Sequence, residues 1–339
     1  MSDNIRLLES KLGMTSDTEK VSIHNSLSEL YMFRDVSKMY QHVSQALRLS
    51  KQFELLDEQA TAYYHLGCYY YLNNNYKLSI ENFKQALLLC PSHAIKIKAC
   101  IYNRIGVYYA FIHNFEKATT YIEKAIELVS GTDHYHMICR AYISMGRVHR
   151  YLEEYDIADY YYREAARIAE AYKLLDMMPD TKLVITHNDL RTFKLNVEKN
   201  LLNIESYMED HDDLWYLGPT KVLWATYYLL SDAKDVATIN YKMALDILEE
   251  ENQFTVLVAT YDILTFALEY KGYEDEALNL LFRAEAYFTN HDYIFGLPKL
   301  YLALSKFYSK QGKIKLYQQY LRKYVLLKEE LDGYLNQYF

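Results

Sequence analysis

The chain has 339 residues, of which 51% are apolar and 15% aromatic, and its formal net charge at pH 7 is −8. An acidic chain lacks the basic face that neutralises phosphates, so we expect no direct binding of nucleic acid. The N-terminus is polar, and no apolar run approaches the roughly 20 residues of a membrane span, so we expect a soluble cytoplasmic protein with no membrane attachment.

The residue balance favours helices. The sequence contains 37 tyrosines but only ten glycines and four prolines. This composition suits long amphipathic helices and predicts essentially no sheet. The four cysteines, Cys68, Cys90, Cys100 and Cys139, show no CxxC spacing. We therefore expect reduced thiols that are packed within or at the ends of helices.

One side-chain pattern recurs about every 40 residues. Its three clearest copies are Tyr63-x-x-Leu66-Gly67-x-x-Tyr70, Tyr102-x-x-Ile105-Gly106-x-x-Tyr109 and Tyr142-x-x-Met145-Gly146-x-x-His149. A second helical pattern follows each glycine and ends in an alanine 19 residues later: Ser79-x3-Phe83-x2-Ala86, Ala118-x3-Ile122-x2-Ala125 and Ala158-x3-Tyr162-x2-Ala165. This constant distance predicts that each repeat is one helix-turn-helix unit, and such units stack because none can bury its apolar face alone.

The three glycines indicate close helix packing. A glycine inside a helix costs about 1 kcal/mol relative to alanine, so three in register imply a compensating contact. We expect the second helix of each pair to pass too near Gly67, Gly106 and Gly146 for a β-carbon to fit.

The same register extends in both directions and predicts eight repeats. The eight residues at the glycine position are Leu27, Gly67, Gly106, Gly146, Thr186, Ala225, Thr265 and Ser305, at intervals of 39 or 40 residues. Turn residues also align, with asparagines at 73–75, His113-Asn114, Gly272 and Gly312 near one repeat position.

This pattern resembles the tetratricopeptide repeat (TPR) family. The positions that carry the resemblance are Tyr63, Leu66, Gly67, Tyr70, Ser79, Phe83, Ala86 and Pro91. Family repeats have about 34 residues, whereas these have about 40, a length similar to that in peptide-sensing regulators of Gram-positive bacteria and in TPR sensor regions of bacterial signalling proteins. The resemblance implies an all-α, right-handed superhelical solenoid of about eight TPR-like repeats.

The match is weak at 20–50, 180–212 and 297–330. The repeat around residues 182–210 keeps the spacing but loses the small residues, with Asp189 and Glu205 where an aromatic residue and an alanine are expected. We therefore divide the chain into N-terminal repeats at 1–175, a degenerate repeat or joint at 176–212, and C-terminal repeats with a terminal helix at 213–339. Two interpretations stay open for the middle segment, which is either a hinge or a drifted repeat with compensating contacts.

In the TPR family the first helix of each pair lines the concave surface, so the resemblance implies a binding surface there. The candidate peptide- or partner-binding residues at or near those positions are Tyr64, Tyr71, Asn103, Arg104, Phe111, Arg140, Arg147, Arg150, Tyr151, His187, Asn188 and Arg191. Three of the arginines are spaced i, i+7, i+10, which places them on one helical stripe.

Guanidinium forks suit carboxylates, so the stripe favours an extended peptide or protein segment that is acidic or has a free C-terminus. The alternative is an exposed face with weak salt bridges. For the tyrosines, the alternative is packing between repeats.

The sequence holds no GxGxxG, GxxxxGK[ST], GxSxG or HExxH motif, and its only close histidine pair, His134 and His136, lacks a third metal ligand at ordinary spacing. We therefore expect no catalytic residues, no metal and no cofactor. The first hypothesis is a non-enzymatic receptor or adaptor in bacterial signalling or regulation. The alternatives are the sensor portion of a larger signalling protein, whose enzymatic or DNA-binding output module lies outside this chain, and a phosphatase-like activity on a bound regulator.

The last segment, 316–339, predicts one long amphipathic helix without a polar capping repeat. Three interpretations remain open: the helix docks on its own chain, mediates a homodimer, or leads into another domain.

Overall fold

The computed structural model describes residues 2–32, 34–211 and 213–339, and these ranges contain helices and no strand. The helices are α1 (Ser2–Lys11), α2 (Asp17–Tyr31), α3 (Val36–Gln52), α4 (Leu56–Leu72), α5 (Tyr76–Leu89), α6 (Ile95–Phe111), α7 (Phe115–Val129), α8 (Tyr135–Tyr151), α9 (Tyr155–Ala171), α10 (Met177–Arg191), α11 (Glu198–His211), α12 (Leu217–Leu230), α13 (Lys234–Glu250), α14 (Phe254–Tyr270), α15 (Glu274–Asn290), α16 (Leu297–Lys310) and α17 (Ile314–Asn336). Two 3-10 turns, Leu214–Tyr216 and Ile294–Gly296, precede α12 and α16.

The helices form sequential antiparallel pairs from α2–α3 to α16–α17, so the prediction of an all-α, TPR-like solenoid is confirmed. Every residue at the predicted glycine position lies in the first helix of its pair and is buried. Helix α1, which precedes the first pair, was not predicted because its ten residues carry no copy of the repeat pattern.

The conserved spacing of the glycines reflects close approach of paired helices. A β-carbon added to Gly67 would lie 2.6 Å from the ring of Phe83. One added to Gly106 would lie 2.6 Å from Ile122 Cγ1 and 2.9 Å from the backbone oxygen of Ala118. These distances are too short for a β-carbon, so the expected packing contact is confirmed.

The turns inside the pairs share one backbone geometry. Seven residues after the glycine position, the chain adopts a positive φ; the residues concerned are Asn74, His113, Glu153, Phe193, Asp232, Gly272 and Gly312. The next residue donates its backbone N–H to a carbonyl five residues earlier, as from Asn75 to Tyr70 at 2.9 Å and from Tyr273 to Leu268 at 2.9 Å. This is the Schellman ending of a helix, and it fixes the reversal of the chain at the same place in successive repeats.

The chain divides into two compact units. Unit 1 comprises the described residues up to Arg104 together with Glu127–Val129 and Tyr334–Phe339, and unit 2 comprises Ile105–Ile126 and Ser130–Gly333. Helices α10 and α11 lie inside unit 2, where α10 packs against α9 and α12. A hinge in 176–212 stays a prediction, as does the boundary drawn there.

Within unit 2 the terminal helix packs on its own chain. The hydroxyl of Tyr324 lies 3.2 Å from His113 Nδ1, and Asn114 donates its side-chain N–H to Asp332 Oδ1 at 2.7 Å. Docking on the same chain is therefore one role of α17, while homodimerisation stays a prediction. Across the described ranges, each helix is too short or too polar to cross a bilayer.

Gly106→Ala should destabilise the protein by about 1–2 kcal/mol, because overpacking costs about 1–3 kcal/mol and the gain in helix propensity recovers at most about 1 kcal/mol. The matched control is Gly333→Ala in α17, where an added β-carbon meets no atom within 4 Å. That change should be neutral or stabilising by up to about 1 kcal/mol. Urea unfolding midpoints would test the contrast, and equal shifts of the same sign would contradict it.

Candidate ligand-binding site

In unit 2, side chains from four first helices converge on Asp262. Helix α8 supplies Arg150 and Tyr151, α10 supplies His187 and Arg191, α14 supplies Asp262 and α16 supplies Lys299; we call these six residues the Asp262 cluster. The repeat register explains the convergence, because equivalent faces of successive first helices lie side by side. Tyr151 and Arg191, for example, both lie five residues after the glycine position of their repeats.

The cluster combines one ion pair with cation–aromatic contacts. Lys299 Nζ lies 3.2 Å from Asp262 Oδ1 and 5.1 Å from the centre of the Tyr151 ring. The Arg150 guanidinium lies 5.6 Å from the same ring. Lys299 and Tyr151 come from repeats that are four apart in the sequence, so this contact joins α16 to α8 within unit 2.

Arg191 is held by two aromatic side chains. Its guanidinium carbon lies 4.1 Å from the centre of the Phe266 ring, and its Nε donates to the hydroxyl of Tyr155 at 3.1 Å. Both contacts fix the direction of the side chain. Its terminal nitrogens therefore stay near the cluster at little cost in further ordering.

Charge in the cluster is positive on balance. Burial raises the pKa of Asp262, but the cations, led by Lys299 and Arg191, overcome this and hold the pKa well below its ordinary value. Burial also lowers the pKa of His187 far below its ordinary value, with a smaller effect of Arg150, so the imidazole is neutral at pH 7. Three cations of the cluster therefore face the carboxylate of Asp262. Two of them, Arg191 and Lys299, also help Lys306 to lower the pKa of the nearby Glu153.

Two members of the cluster have unused hydrogen-bonding groups. Arg150 and His187 are each only 7% exposed. The Nε of Arg150 makes no hydrogen bond to any described residue, and neither ring nitrogen of His187 meets hydrogen-bond geometry there, although the backbone of Ala259 lies near the ring. Buried donors without acceptors cost free energy, so the cluster is prepared for an oxygen-bearing group that supplies them.

The predicted arginine stripe divides into two environments. Arg150 joins the Asp262 cluster, whereas Arg140 is half-buried and Arg147 is exposed. Burial raises the pKa of Asp180 on α10, and the nearby Arg147 and Arg140 partly oppose that rise. The first two arginines thus interact with an internal carboxylate.

The other candidates in unit 2 are occupied in packing. Asn188 is fully buried and donates its side-chain N–H to the backbone oxygen of Tyr155 at 3.0 Å. Phe111 is 9% exposed. Both are positioned to stabilise the stacking of helices, so we leave them out of the site proposed below.

The remaining four candidates form their own group in unit 1. Tyr64 is 6% exposed, with its ring centre 5.9 Å from that of Phe83. The Arg104 guanidinium lies 5.1 Å from the centre of the Tyr71 ring, and Asn103 is buried with a side-chain oxygen that accepts no hydrogen bond from the described residues. Tyr64 therefore packs in the core, and the other three stay candidates.

Four residues that contribute to the site lie outside the predicted set: Tyr155, and Asp262, Phe266 and Lys299, which the repeat register places on the concave face as part of a mixed and apolar stretch. Asp262 and Lys299 each lie at a first-helix position that the register assigns to the binding face, so the signal was present. Their pairing was missed because they are distant in sequence from Arg150. Among the described residues, no group of three His, Cys, Asp or Glu side chains is placed to hold a metal ion.

Comparisons with known proteins agree with this fold. Residues 60–93 and 98–171 match the tetratricopeptide repeat family, and these segments are TPR repeats. No curated protein sequence matches the chain.

Several solved structures share the fold. A Rap protein complexed with competence and sporulation factor aligns with a TM-score of 0.60 and 15% identity, over 98% of this chain and 81% of that one. The Rap conjugation gene regulator of plasmid pLS20, complexed with the Phr* peptide, gives 0.58 and 14%, over 97% and 95%. Aspartyl phosphate phosphatase F from Bacillus subtilis gives 0.53 and 16%, over 96% and 88%. This chain therefore has the TPR-like fold of the Rap proteins.

Asp262→Asn should destabilise the protein at pH 7 by about 2–3 kcal/mol, because breaking a buried ion pair costs about 3–5 kcal/mol and Asp262 keeps 17% exposure. The pKa of Asp262 is lowered by folding, so its contribution is present above the unfolded pKa, near 3.9, and is lost as pH falls. The difference between wild type and variant should therefore narrow below about pH 5.

The matched control is Asp232→Asn, since Asp232 is 82% exposed and pairs with Lys271 at 2.7 Å. An exposed pair contributes about 0–1 kcal/mol, so this variant should stay near wild type. Urea unfolding between pH 3 and pH 7 would measure both effects. If the free energy of unfolding of Asp262→Asn fell below that of wild type by the same amount at every pH, the electrostatic explanation would be contradicted.

Proposed function

We propose that this protein is a non-enzymatic TPR receptor or adaptor that binds an extended peptide or protein segment along the first helices of unit 2. The ligand places a carboxylate, from an acidic side chain or a free C-terminus, at the Asp262 cluster. The observation that carries the proposal is the surplus of cations there: Arg150, Arg191 and Lys299 surround Asp262, while the neighbouring carboxylate of Glu153 is paired with a further cation, Lys306, at 3.1 Å.

The donor geometry supports a carboxylate ligand. Arginine presents a planar fork of N–H groups that matches the two oxygens of a carboxylate. The unpaired Nε of Arg150 and the neutral ring of His187 add donors on two side chains that are themselves only 7% exposed. Tyr151 and Phe266 supply apolar surface beside these donors.

The solved structures with this fold support peptide binding as the class of function. One Rap protein is complexed with competence and sporulation factor, and another with the Phr* peptide. Sequence identities of 15% and 14% are evidence for a shared fold only. The ligand of this chain is therefore inferred from the residues of the Asp262 cluster. The proposal includes a role in bacterial signalling or regulation in the cytoplasm. The alternative is that this chain is the sensor portion of a larger signalling protein.

A second candidate function is hydrolysis of an aspartyl phosphate on a bound regulator. The observation that favours it is the fold shared with aspartyl phosphate phosphatase F. Incubation with a phosphorylated response regulator, with release of inorganic phosphate as the readout, separates the two. Turnover above the spontaneous rate would overturn the non-enzymatic proposal.

The direct test uses a synthetic pool of pentapeptides made twice, once with free C-terminal carboxylates and once with C-terminal amides. Wild-type protein should retain members of the carboxylate pool, as measured by native mass spectrometry. The loss of one charge-assisted hydrogen bond predicts that Arg191→Gln weakens this retention about tenfold or more. Arg191 is chosen because its ring contacts hold it in place without burying it fully.

The control variant is Arg167→Gln, since Arg167 is 67% exposed and pairs with Glu164 on its own helix. This variant should retain the pool as wild type does. Equal retention of the carboxylate and amide pools by wild type, with no preference for internal acidic residues, would contradict the proposal.

A further inference from the structure

A buried tyrosine on α9 lies close to the Asp262 cluster. Tyr162 is fully buried, and its hydroxyl makes no hydrogen bond to any described residue. Burying a hydroxyl without a hydrogen bond costs free energy. At the same repeat position the two preceding repeats have Phe83 and Ile122, which bury no polar group. The hydroxyl of Tyr162 therefore requires an explanation beyond packing.

The ring of Tyr162 is placed by Gly146 on α8. A β-carbon added to Gly146 would lie 2.6 Å from Cδ1 and 3.0 Å from Cζ of this ring. Because Cζ carries the hydroxyl, the hydroxyl oxygen also lies near this turn of α8. The glycine thus provides the space in which the phenol packs against the helix.

Arg150 lies on the same part of α8. It follows Gly146 by four residues, so the two residues share one face of the helix. Side chains on a helix lean toward its N-terminus, which brings the Arg150 side chain toward Gly146 and the Tyr162 ring. The electrostatics agree with this placement: burial raises the pKa of Tyr162, and the positive charges of Arg150 and Arg147 partly oppose that rise.

The two side chains have complementary unused groups. The Nε–H of Arg150 is a donor that makes no hydrogen bond to any described residue. The Tyr162 hydroxyl is protonated at pH 7, since its pKa is raised, and a neutral hydroxyl can accept a hydrogen bond. The Arg150 guanidinium instead lies 5.6 Å from the centre of the Tyr151 ring. A hydrogen bond from Arg150 Nε to Tyr162 would satisfy both groups at once.

A ligand carboxylate favours this hydrogen bond. Arginine binds a carboxylate through two parallel N–H groups. When the two terminal nitrogens supply those groups, Nε–H remains outside the contact and needs an acceptor of its own. The Tyr162 hydroxyl, whose ring is fixed by packing, can be that acceptor and then determines the direction in which the fork points. A side chain held in its binding orientation loses less freedom when the ligand binds.

We propose that Tyr162 is a positioning residue of the ligand site, whose hydroxyl accepts a hydrogen bond from Arg150 Nε when a ligand carboxylate binds the terminal nitrogens of Arg150. This inference rests on the proposed function and adds to it a residue that the ligand does not touch. The hydroxyl that is unpaired at a cost in stability gains its partner on binding, so it increases the affinity for a carboxylate.

The test compares Tyr162→Phe with wild type. The probes are one pentapeptide that wild type retains from the carboxylate pool and the same peptide with that carboxylate replaced by its amide. Tyr162→Phe should bind the carboxylate peptide about tenfold more weakly, as expected for the loss of one hydrogen bond to a charged group, and the amide peptide as wild type does. Isothermal titration calorimetry measures the dissociation constants, and their carboxylate-to-amide ratio is a readout that a general loosening of packing would not change.

Stability should respond in the opposite direction. Tyr162→Phe should unfold at or above the wild-type urea midpoint, because it removes a buried hydroxyl that has no hydrogen bond. The ring itself is expected to fit, since Phe83 packs against Gly67 at the same position of another repeat. Weaker binding without weaker folding would distinguish a positioning residue from a structural one.

The matched control is Tyr241→Phe. Tyr241 lies on α13 at the position of Tyr162 in the sixth repeat and is half-buried. The residue that corresponds to Arg150 in that repeat is Leu229, which has no side-chain donor. Tyr241→Phe should therefore bind both peptides as wild type does.

The outcomes separate this inference from the proposal beneath it. An unchanged carboxylate-to-amide ratio in Tyr162→Phe, while wild type still prefers the carboxylate, would overturn the role of Tyr162 alone. A lowered urea midpoint with equally weakened binding of both peptides, or an equal loss in Tyr241→Phe, would overturn it as well. Equal binding of the two peptides by wild type would contradict the proposed function itself.

Discussion

The carboxylate of Asp262 allows three cations to lie together in one partly buried space. Without an anion, Arg150, Arg191 and Lys299 would repel one another in surroundings where water screens charge poorly. Asp262 attracts all three, which lowers its pKa, but one negative charge does not neutralise three positive ones, and the nearby Glu153 is already paired with Lys306. The arrangement is therefore stable in itself and still attracts an anion. A buried ion pair is weak evidence for a purely stabilising role, whereas an uneven group of charges with unused donors points to a ligand.

The close packing of paired helices places these charges together. Gly67, Gly106 and Gly146 let the second helix of their pairs approach closely, and the repeated Schellman endings reverse the chain at a constant place. These local rules keep the first helices in one register, so residues such as Tyr151 and Lys299 meet although nearly 150 positions separate them in sequence. The binding site thus depends on the regular packing of the first helices more than on any local sequence motif.

Much of the fold could be predicted because its cause is local and repeated. The pattern around Gly67 and Phe83 determines one hairpin, and the same spacing recurs along most of the chain. Arg150 and Arg191 could be placed on the binding face for the same reason. Their common partner could not, since pairing Asp262 with cations from three other repeats depends on how far the stacked helices turn, which the repeat spacing does not specify. Asn188 was predicted to contact the ligand, because an asparagine side chain can donate to and accept from a peptide backbone. In the structure its side chain instead donates to the backbone at the start of α9 and so holds α10 against that helix.

The central claim is that a ligand carboxylate contacts the guanidinium groups of the Asp262 cluster. Side-chain Nε–H resonances of arginine, observed by NMR in protein labelled with ¹⁵N-arginine and assigned by substitution, report this contact directly. On addition of a carboxylate pentapeptide that wild-type protein retains, the Arg150 and Arg191 resonances should shift together while that of Arg167 stays in place. Unchanged Arg150 and Arg191 resonances at a peptide concentration that saturates binding would show that the ligand lies elsewhere, and would contradict the account.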